Sequence, residues 1–203
     1  MNRRPTISIA GRGAIGLVTA LALADEGCRV TVFDPGKAEM SASGVAAGML
    51  APVFETISDK RAEKDFDLLL RARNLWAGLE ARLGIKIERA GALAVGGSAY
   101  LADVEMKIRA MGLPTMRLLR SGLEAVAPGL NPLLTTAILT REDWHLDPQE
   151  VMAALSGKAL DAGVSFVPQS MQVRETADYL VVATGASQDL STLVHELRVI
   201  SPI

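Results

Sequence analysis

A chain of 203 residues with 49% hydrophobic and 22% charged residues is long enough for one large domain or two small ones, and too apolar to be disordered. Its net charge of −2, with Arg and Lys scattered rather than clustered, speaks against nucleic acid as a partner. The single cysteine, Cys28, excludes an internal disulfide and suits a reducing cytoplasm, and the two well-separated histidines, His145 and His195, do not make a zinc site with it, so no metal is expected.

Arg3 and Arg4 precede an apolar run ending in Ala-Leu-Ala-Leu-Ala, the outline of a secretory signal. Arg12 and the glycines at 11, 13 and 16 break that run, and no stretch reaches the ~18 uninterrupted apolar residues of a membrane span. A cytoplasmic protein without membrane contact is expected. Thr6 to Ala10 predicts a short buried strand, residues 11–16 a glycine turn, Leu17 to Glu26 a helix stopped by Gly27, and Arg29 to Asp34 a second strand. A strand–helix–strand unit of this kind implies parallel strands. Ser41 to Leu50, SASGVAAGML, follows with no charge and no aromatic ring.

Lys60 to Leu83 predicts a long helix with Phe66, Leu69, Leu70, Leu75, Trp76, Leu79 and Leu83 on one broad face and the charges on the other. Beyond Gly84 the texture changes. Short strand-like runs at 85–88, 92–97, 115–119 and 136–140 alternate with a helix from Tyr100 to Met111. Ser121 and Glu124 are spaced as a capping box for a short helix ended by Pro128. Residues 84–146 are thus expected to form an antiparallel α+β module. Asp147 as N-cap, Pro148 at the first helical position and Glu150 closing the box then start a helix running to about Ala162. Residues 164–168 predict a strand, and 178–185, DYLVVATG, a buried one. No internal repeat or low-complexity linker separates these segments. The expected organisation is a discontinuous α/β domain, 1–83 with 147–203, interrupted by the module 84–146.

Gly11-Arg-Gly-Ala-Ile-Gly16 is GxGxxG between a strand and a helix. Gly11 allows the tight turn, Gly13 the approach of backbone to a pyrophosphate, and Gly16 close packing of helix on strand. The helix N-terminus offers free N–H groups and partial positive charge to phosphates. Asp34 ends the second strand, about where the acid that binds a ribose belongs. Arg12 stands where a small residue is usual: its side chain would reach solvent or the phosphates, or the position is a degraded one. An acid at this position suits NAD and the adenosine half of FAD equally.

GxGxxG, the acid, SASGVAAGML and a late apolar strand ending Val-Ala-Thr-Gly185 together resemble the D-amino-acid oxidase family of flavoproteins. The run Ala46 to Pro52, AAGMLAP, and the segment Glu142 to Pro148, EDWHLDP, resemble the glycine oxidase branch of that family, which serves thiamine biosynthesis. The likeness runs through most of the chain. It implies a Rossmann-like FAD-binding domain of the glutathione-reductase type with an inserted substrate module. It further implies that Ala14 and Ile15 lie against the pyrophosphate and that Asp34 binds the adenosine ribose. Ala42 and Ser43 would approach the phosphates, Ala47, Gly48 and Met49 would pass along the flavin end, Val173 would contact adenine, and Gly185 would end a turn near the cofactor. The reaction implied is oxidation of an amine or amino acid to an imine with O2 as acceptor, and a homo-oligomer is compatible with the sequence.

Two departures qualify the likeness. Only Arg174 to Asp178 stands where the family carries a β-hairpin, and the chain stops at Ile203, where the family enters its main substrate-binding sheet, so a C-terminally truncated member is expected. No residue is assigned to the Arg–carboxylate clamp that would hold an amino acid, and no catalytic residue is named. Trp144 and His145 invite a catalytic role, but a lone His in a polar loop before a helix cap reads as a surface residue. Ser41 and Ser43 lack a nearby His, which argues against a hydrolase triad. The rival readings are a non-catalytic nucleotide-binding remnant of such an oxidase and, less favoured, an NAD(P)-dependent dehydrogenase.

Overall fold

The computed structural model describes residues 3–171 and 177–185. Two compact units emerge, one of residues 1–47 and 148–203 and one of residues 48–147. In chain order the first unit supplies β1 (Thr6–Ala10), α1 (Ala14–Asp25) and β2 (Arg29–Phe33). The second holds β3 (Met49–Leu50), α2 (Pro52–Ser58), α3 (Phe66–Leu83), β4 (Ile87–Glu88), β5 (Ala92–Val95), α4 (Ser98–Ala110), β6 (Met116–Leu119), α5 (Arg120–Val126), β7 (Thr136–Thr140) and β8 (Trp144–Leu146). The chain then returns to the first unit with α6 (Pro148–Asp161), β9 (Ser165–Val167) and β10 (Tyr179–Val182).

The first unit is a parallel sheet in the order β10-β1-β2-β9. Its central strands are buried on both faces, as a sheet covered by crossover helices requires. Ile7, Ile9, Val30 and Val32 pack with Ala20 of α1 and Ala159 of α6, and these small helical residues let both helices lie close to the strands. Ala10 and Phe33, paired in register, pack with Met171 on a separate cluster. Asp178 ties β10 to the start of β1: its Oδ2 accepts from Thr6 N–H at 2.8 Å and from the Thr6 hydroxyl at 2.7 Å. Thr6 N–H and hydroxyl hold its carboxyl below the ordinary value.

The second unit carries two antiparallel sheets, β3-β8-β4 and β5-β7-β6. Leu101, Val104 and Ile108 of α4, spaced three and four apart, pack on Ala94 of β5, Ile138 of β7 and Val53 of α2.

Several expectations from the sequence are corrected here. The helix after the glycine turn begins at Ala14 rather than Leu17, so the last motif glycine lies inside its first turn. The long helix begins at Phe66 rather than Lys60, because Asp59 turns the chain by accepting from Arg61 N–H at 2.9 Å. An additional helix, α2, precedes it, with Pro52 in its first turn. Ser121 is not a cap: Leu119 occupies the N-cap position of α5, and no side chain caps it. His145 lies in strand β8, paired with Met49 and Glu88, not in a loop. The strand 178–185, expected to be buried, places β10 at the edge of the sheet, where Tyr179 is 64% and Leu180 44% exposed. Residues 48–83, grouped by the sequence with the α/β domain, pack within the second unit.

Candidate functional site

The C-terminal end of β1 opens into the glycine turn, and the protein's own packing explains two of its three glycines. Gly11 has φ +108°, and a Cβ there would overlap the carbonyl oxygen of Ala183, just beyond β10. A Cβ on Gly16 would overlap the carbonyl oxygen of Gly11. Gly13 is different. Its φ of −72° suits any residue, and a Cβ would meet only Ser43 Oγ, at 3.4 Å. Nothing among the described residues demands glycine there, and the open space suits close approach of a ligand to the backbone.

Gly13 is the N-cap of α1, a helix without an acidic residue in its first turn. Ala14 N–H donates to Ser43 Oγ at 3.1 Å, so part of SASGVAAGML is brought against the helix N-terminus. Ile15 beside it is 76% exposed. The loop that delivers Ser43 is tightly made. Ser41 Oγ donates to Ala38 O at 2.6 Å and accepts from Gly44 N–H at 3.2 Å, while Gln149 Nε2 of α6 donates to Gly44 O at 2.9 Å. A Cβ on Gly44 would overlap the carbonyl oxygen of Glu39. Ala42 and Ala47 are exposed on this loop; Gly48 and Met49 belong to the second unit, where Met49 opens β3. Gly185, exposed with φ +62°, follows β10. Val173 and His195 lie outside the described residues.

Asp34 follows β2 and is fixed by backbone. Its Oδ2 accepts from Arg12 N–H at 2.7 Å and its Oδ1 from Gly36 N–H at 2.8 Å. Each oxygen keeps a further lone pair for a hydroxyl donor. Arg12, Val32, Asp34, Gly36, Phe166 and Pro168 border a cleft of about 230 Å³. The first unit therefore brings together Gly11, Gly13, Ala14, Ile15, Gly16, Ser43 and Asp34: a helix N-terminus with room beside Gly13, and a carboxylate one motif residue away. These residues fit the ADP half of a dinucleotide, the helix end facing phosphates and Asp34 facing a ribose diol.

The second unit explains EDWHLDP as a brace. Arg73 of α3, only 7% exposed, donates through Nη1 to Glu142 Oε2 at 2.8 Å and to the Glu142 carbonyl, and its Nη2 to Asn74 Oδ1 at 2.8 Å. Its guanidinium lies 4.4 Å from the Trp144 ring centroid, and that of Arg89 lies 4.6 Å from it. Arg89 in turn pairs with Glu80 of α3 at 2.6 Å. Asp143, 1% exposed, accepts from the N–H groups of Val53 and Phe54 at 2.8 and 3.0 Å, in the first turn of α2. Burial pushes the Asp143 carboxyl above its ordinary value, and those two N–H groups partly offset it. The segment thus ties α2, α3 and β4 to β8. Arg73 and Asp143 were not singled out by the sequence. The signal for Arg73 was present: it falls midway on the stripe Phe66, Leu69, Leu70, Trp76, Leu83.

The chain matches, over residues 6–203, the family described as DAO, FAD dependent oxidoreductase. It is 31% identical over 185 residues to a putative thiamine biosynthesis oxidoreductase ThiO of Rhizobium etli, an alignment covering 90% of this chain and 54% of that protein. In fold it is similar to glycine oxidase from Geobacillus kaustophilus, with TM-score 0.76 and 24% identity over 91% of this chain and 56% of that one. It is likewise similar to iminodiacetate oxidase (IdaA) from Chelativorans sp. BNC1, with TM-score 0.76 and 22% identity over 89% and 55%. The chain spans about half the length of these relatives.

Proposed function

The chain belongs to the DAO family of FAD dependent oxidoreductases, and from that premise we propose that its first unit binds the ADP half of FAD and that the protein oxidises a small amine or amino acid to an imine with O2 as acceptor. The observation that carries the reading is the meeting of Gly13, Ser43 and the N-terminus of α1 with Asp34 at one end of the parallel sheet. When bound, FAD supplies a two-electron acceptor that no amino-acid side chain provides. The residues of the chain do the holding. Asp34 would accept from the ribose hydroxyls, its carboxylate already fixed by two backbone donors. The N-terminus of α1, where Ile15 is exposed, would face the pyrophosphate, and the Ala14 N–H that Ser43 Oγ accepts would be available to a phosphate oxygen. The roles that the resemblance implies for Ala42, Ala47, Gly48, Met49, Val173 and Gly185 belong to this proposal, as does a substrate-binding role for the second unit.

The relatives' names supply the substrate class: glycine oxidase, iminodiacetate oxidase and a thiamine biosynthesis oxidoreductase point to small amines or amino acids and to thiamine synthesis. The substrate would lose two electrons and two protons, which end on O2 as hydrogen peroxide. Among the described residues, no helix is long and apolar enough to cross a membrane. The test is to purify the full chain, add FAD, remove the excess, and measure both the flavin spectrum and peroxide released with glycine, sarcosine and iminodiacetate. A flavin spectrum with amine-dependent peroxide is the expected result. Retained FAD without peroxide under any amine confines the function to nucleotide binding. Binding of NADH in place of FAD overturns the assignment.

A further inference from the structure

We propose that Arg12 is a cofactor-binding residue, its guanidinium seated on Phe166 so as to donate to the adenosine end of the nucleotide from the same cleft that Asp34 borders. The inference rests on the reading that this cleft receives the adenosine half of FAD. It adds a residue that the glycine motif does not ask for, since a small side chain would serve the turn equally well.

Three observations point to it. The first is placement. Arg12 N–H donates to Asp34 Oδ2 at 2.7 Å, so the backbone of Arg12 is pinned to the ribose-binding acid and its side chain starts from the same rim. The second is support. The guanidinium carbon lies 4.4 Å from the centroid of Phe166, just before the end of β9, which holds the planar group by cation–π contact. A ring face accepts none of the five N–H donors of an arginine in the manner of an oxygen lone pair. The third is the unmade bond. Arg12 Nε is buried and, among the described residues, has no hydrogen-bond partner. A buried donor without an acceptor destabilises the folded chain, and a methionine or leucine would cover Phe166 without that cost. Nε itself is closed to a ligand, so the arginine is explained by what the rest of its guanidinium can donate into the cleft it borders.

The cleft says what kind of acceptor. Arg12, Asp34 and Phe166 border a space of about 230 Å³, below the roughly 300 Å³ at which whole-ligand pockets begin, so it suits one end of a longer molecule. It presents one carboxylate and one guanidinium. A ribose hydroxyl both donates and accepts. Asp34 can take its proton but gives nothing to its oxygen, whereas Arg12 supplies the missing donor. An adenine ring nitrogen offers the same kind of acceptor. The ligand class is therefore an adenine nucleotide with free ribose hydroxyls, held by a carboxylate and a guanidinium acting together.

The test uses the full chain, wild type, Arg12→Met and Arg12→Lys, titrated calorimetrically with ADP, FAD and FMN, with thermal unfolding of each ligand-free protein. Arg12→Met keeps the cover over Phe166 and removes every donor. The expected result is an ADP and FAD affinity about tenfold weaker in Arg12→Met, an intermediate loss in Arg12→Lys, and FMN binding unchanged because FMN lacks adenosine. The ligand-free Arg12→Met protein should unfold at the wild-type temperature or higher, which a merely structural arginine would not allow. Unchanged ADP affinity in Arg12→Met overturns the proposal and leaves the FAD reading standing. Equal weakening of FMN and ADP overturns the placement at the adenosine end. A wild-type chain that binds neither ADP nor FAD removes this proposal and the FAD reading together.

Discussion

Replacing Gly16 by alanine drives a methyl group into the carbonyl of Gly11, backbone against backbone, with no flexible side chain to give way. Replacing Gly13 by alanine puts the same methyl 3.4 Å from Ser43 Oγ, an ordinary contact. Gly16→Ala should therefore cost about 3 kcal/mol or more in stability, while Gly13→Ala should cost no more than about 1 kcal/mol, the loss of a favoured N-cap, yet weaken FAD at least about tenfold. Thermal unfolding and FAD titration of the two variants check this, and a Gly13→Ala protein that binds FAD like wild type removes Gly13 from the phosphate site. The motif glycines and Asp34 were legible at this scale because their demands are local: a φ value, a turn, the end of a strand. Arg73 and Asp143 were not. A charged residue on the apolar stripe of a helix is assigned to solvent unless its acceptors are known, and besides the adjacent Asn74 those of Arg73 lie in Glu142, far along the chain. Asp143 is occupied by N–H groups of α2, a helix the sequence did not predict.

Strands TISIA and TAILT were legible from composition because each is a run long enough to show its β-branched and apolar residues. β3, two residues long, carries no period and exists only through its pairing with β8, whereas β4 lies within the strand-like run 85–88. The edge position of β10 was likewise hidden, since an apolar run reads as buried whatever lies beside it. At its start Asp178 clamps β10 to β1, and the pH dependence of that clamp can be separated from that of the α2 cap. The Asp178 carboxyl is held below its ordinary value of 3.8, first by Thr6 N–H, so its contribution is present above that pH and lost as pH falls. The Asp143 carboxyl is raised above 3.8, chiefly by burial, so its contribution is full below that pH and lost as pH rises through the raised value. Asp178→Asn should flatten the acid limb of unfolding temperature against pH, and Asp143→Asn should steepen it. Matching slopes in the two variants would contradict the assigned directions.

For the molecule as a whole, the family was legible because its marks are spread along the chain: glycine turn, acid, small-residue loop, late apolar strand. The division into units was less so. Residues 48–83 follow the nucleotide motif in sequence but side with the second unit, because Val53 and Phe66 find their apolar partners on α4 and β7 there. No periodicity in 48–83 states which of two cores will claim it. The chain spans about half the length of its relatives.

The carbonyl of Ala183 sets the time at which the glycine turn can be finished. Gly11 sits against a residue more than 170 positions later, and the N–H of Ala183 closes onto Ala10 O at 2.7 Å. On a ribosome the turn emerges well before the neighbour it packs against. Closing so long a loop is entropically costly and slow. In refolding followed by pulsed hydrogen exchange, the amides of 7–10 and 30–33 should gain protection before those of 179–183, and the amides of 11–17 should follow the later phase. Protection of 11–17 with the early strands would show that the turn stands without β10. On the expected order, a nascent chain acquires nucleotide affinity only once residue 183 has emerged and β10 has paired with β1.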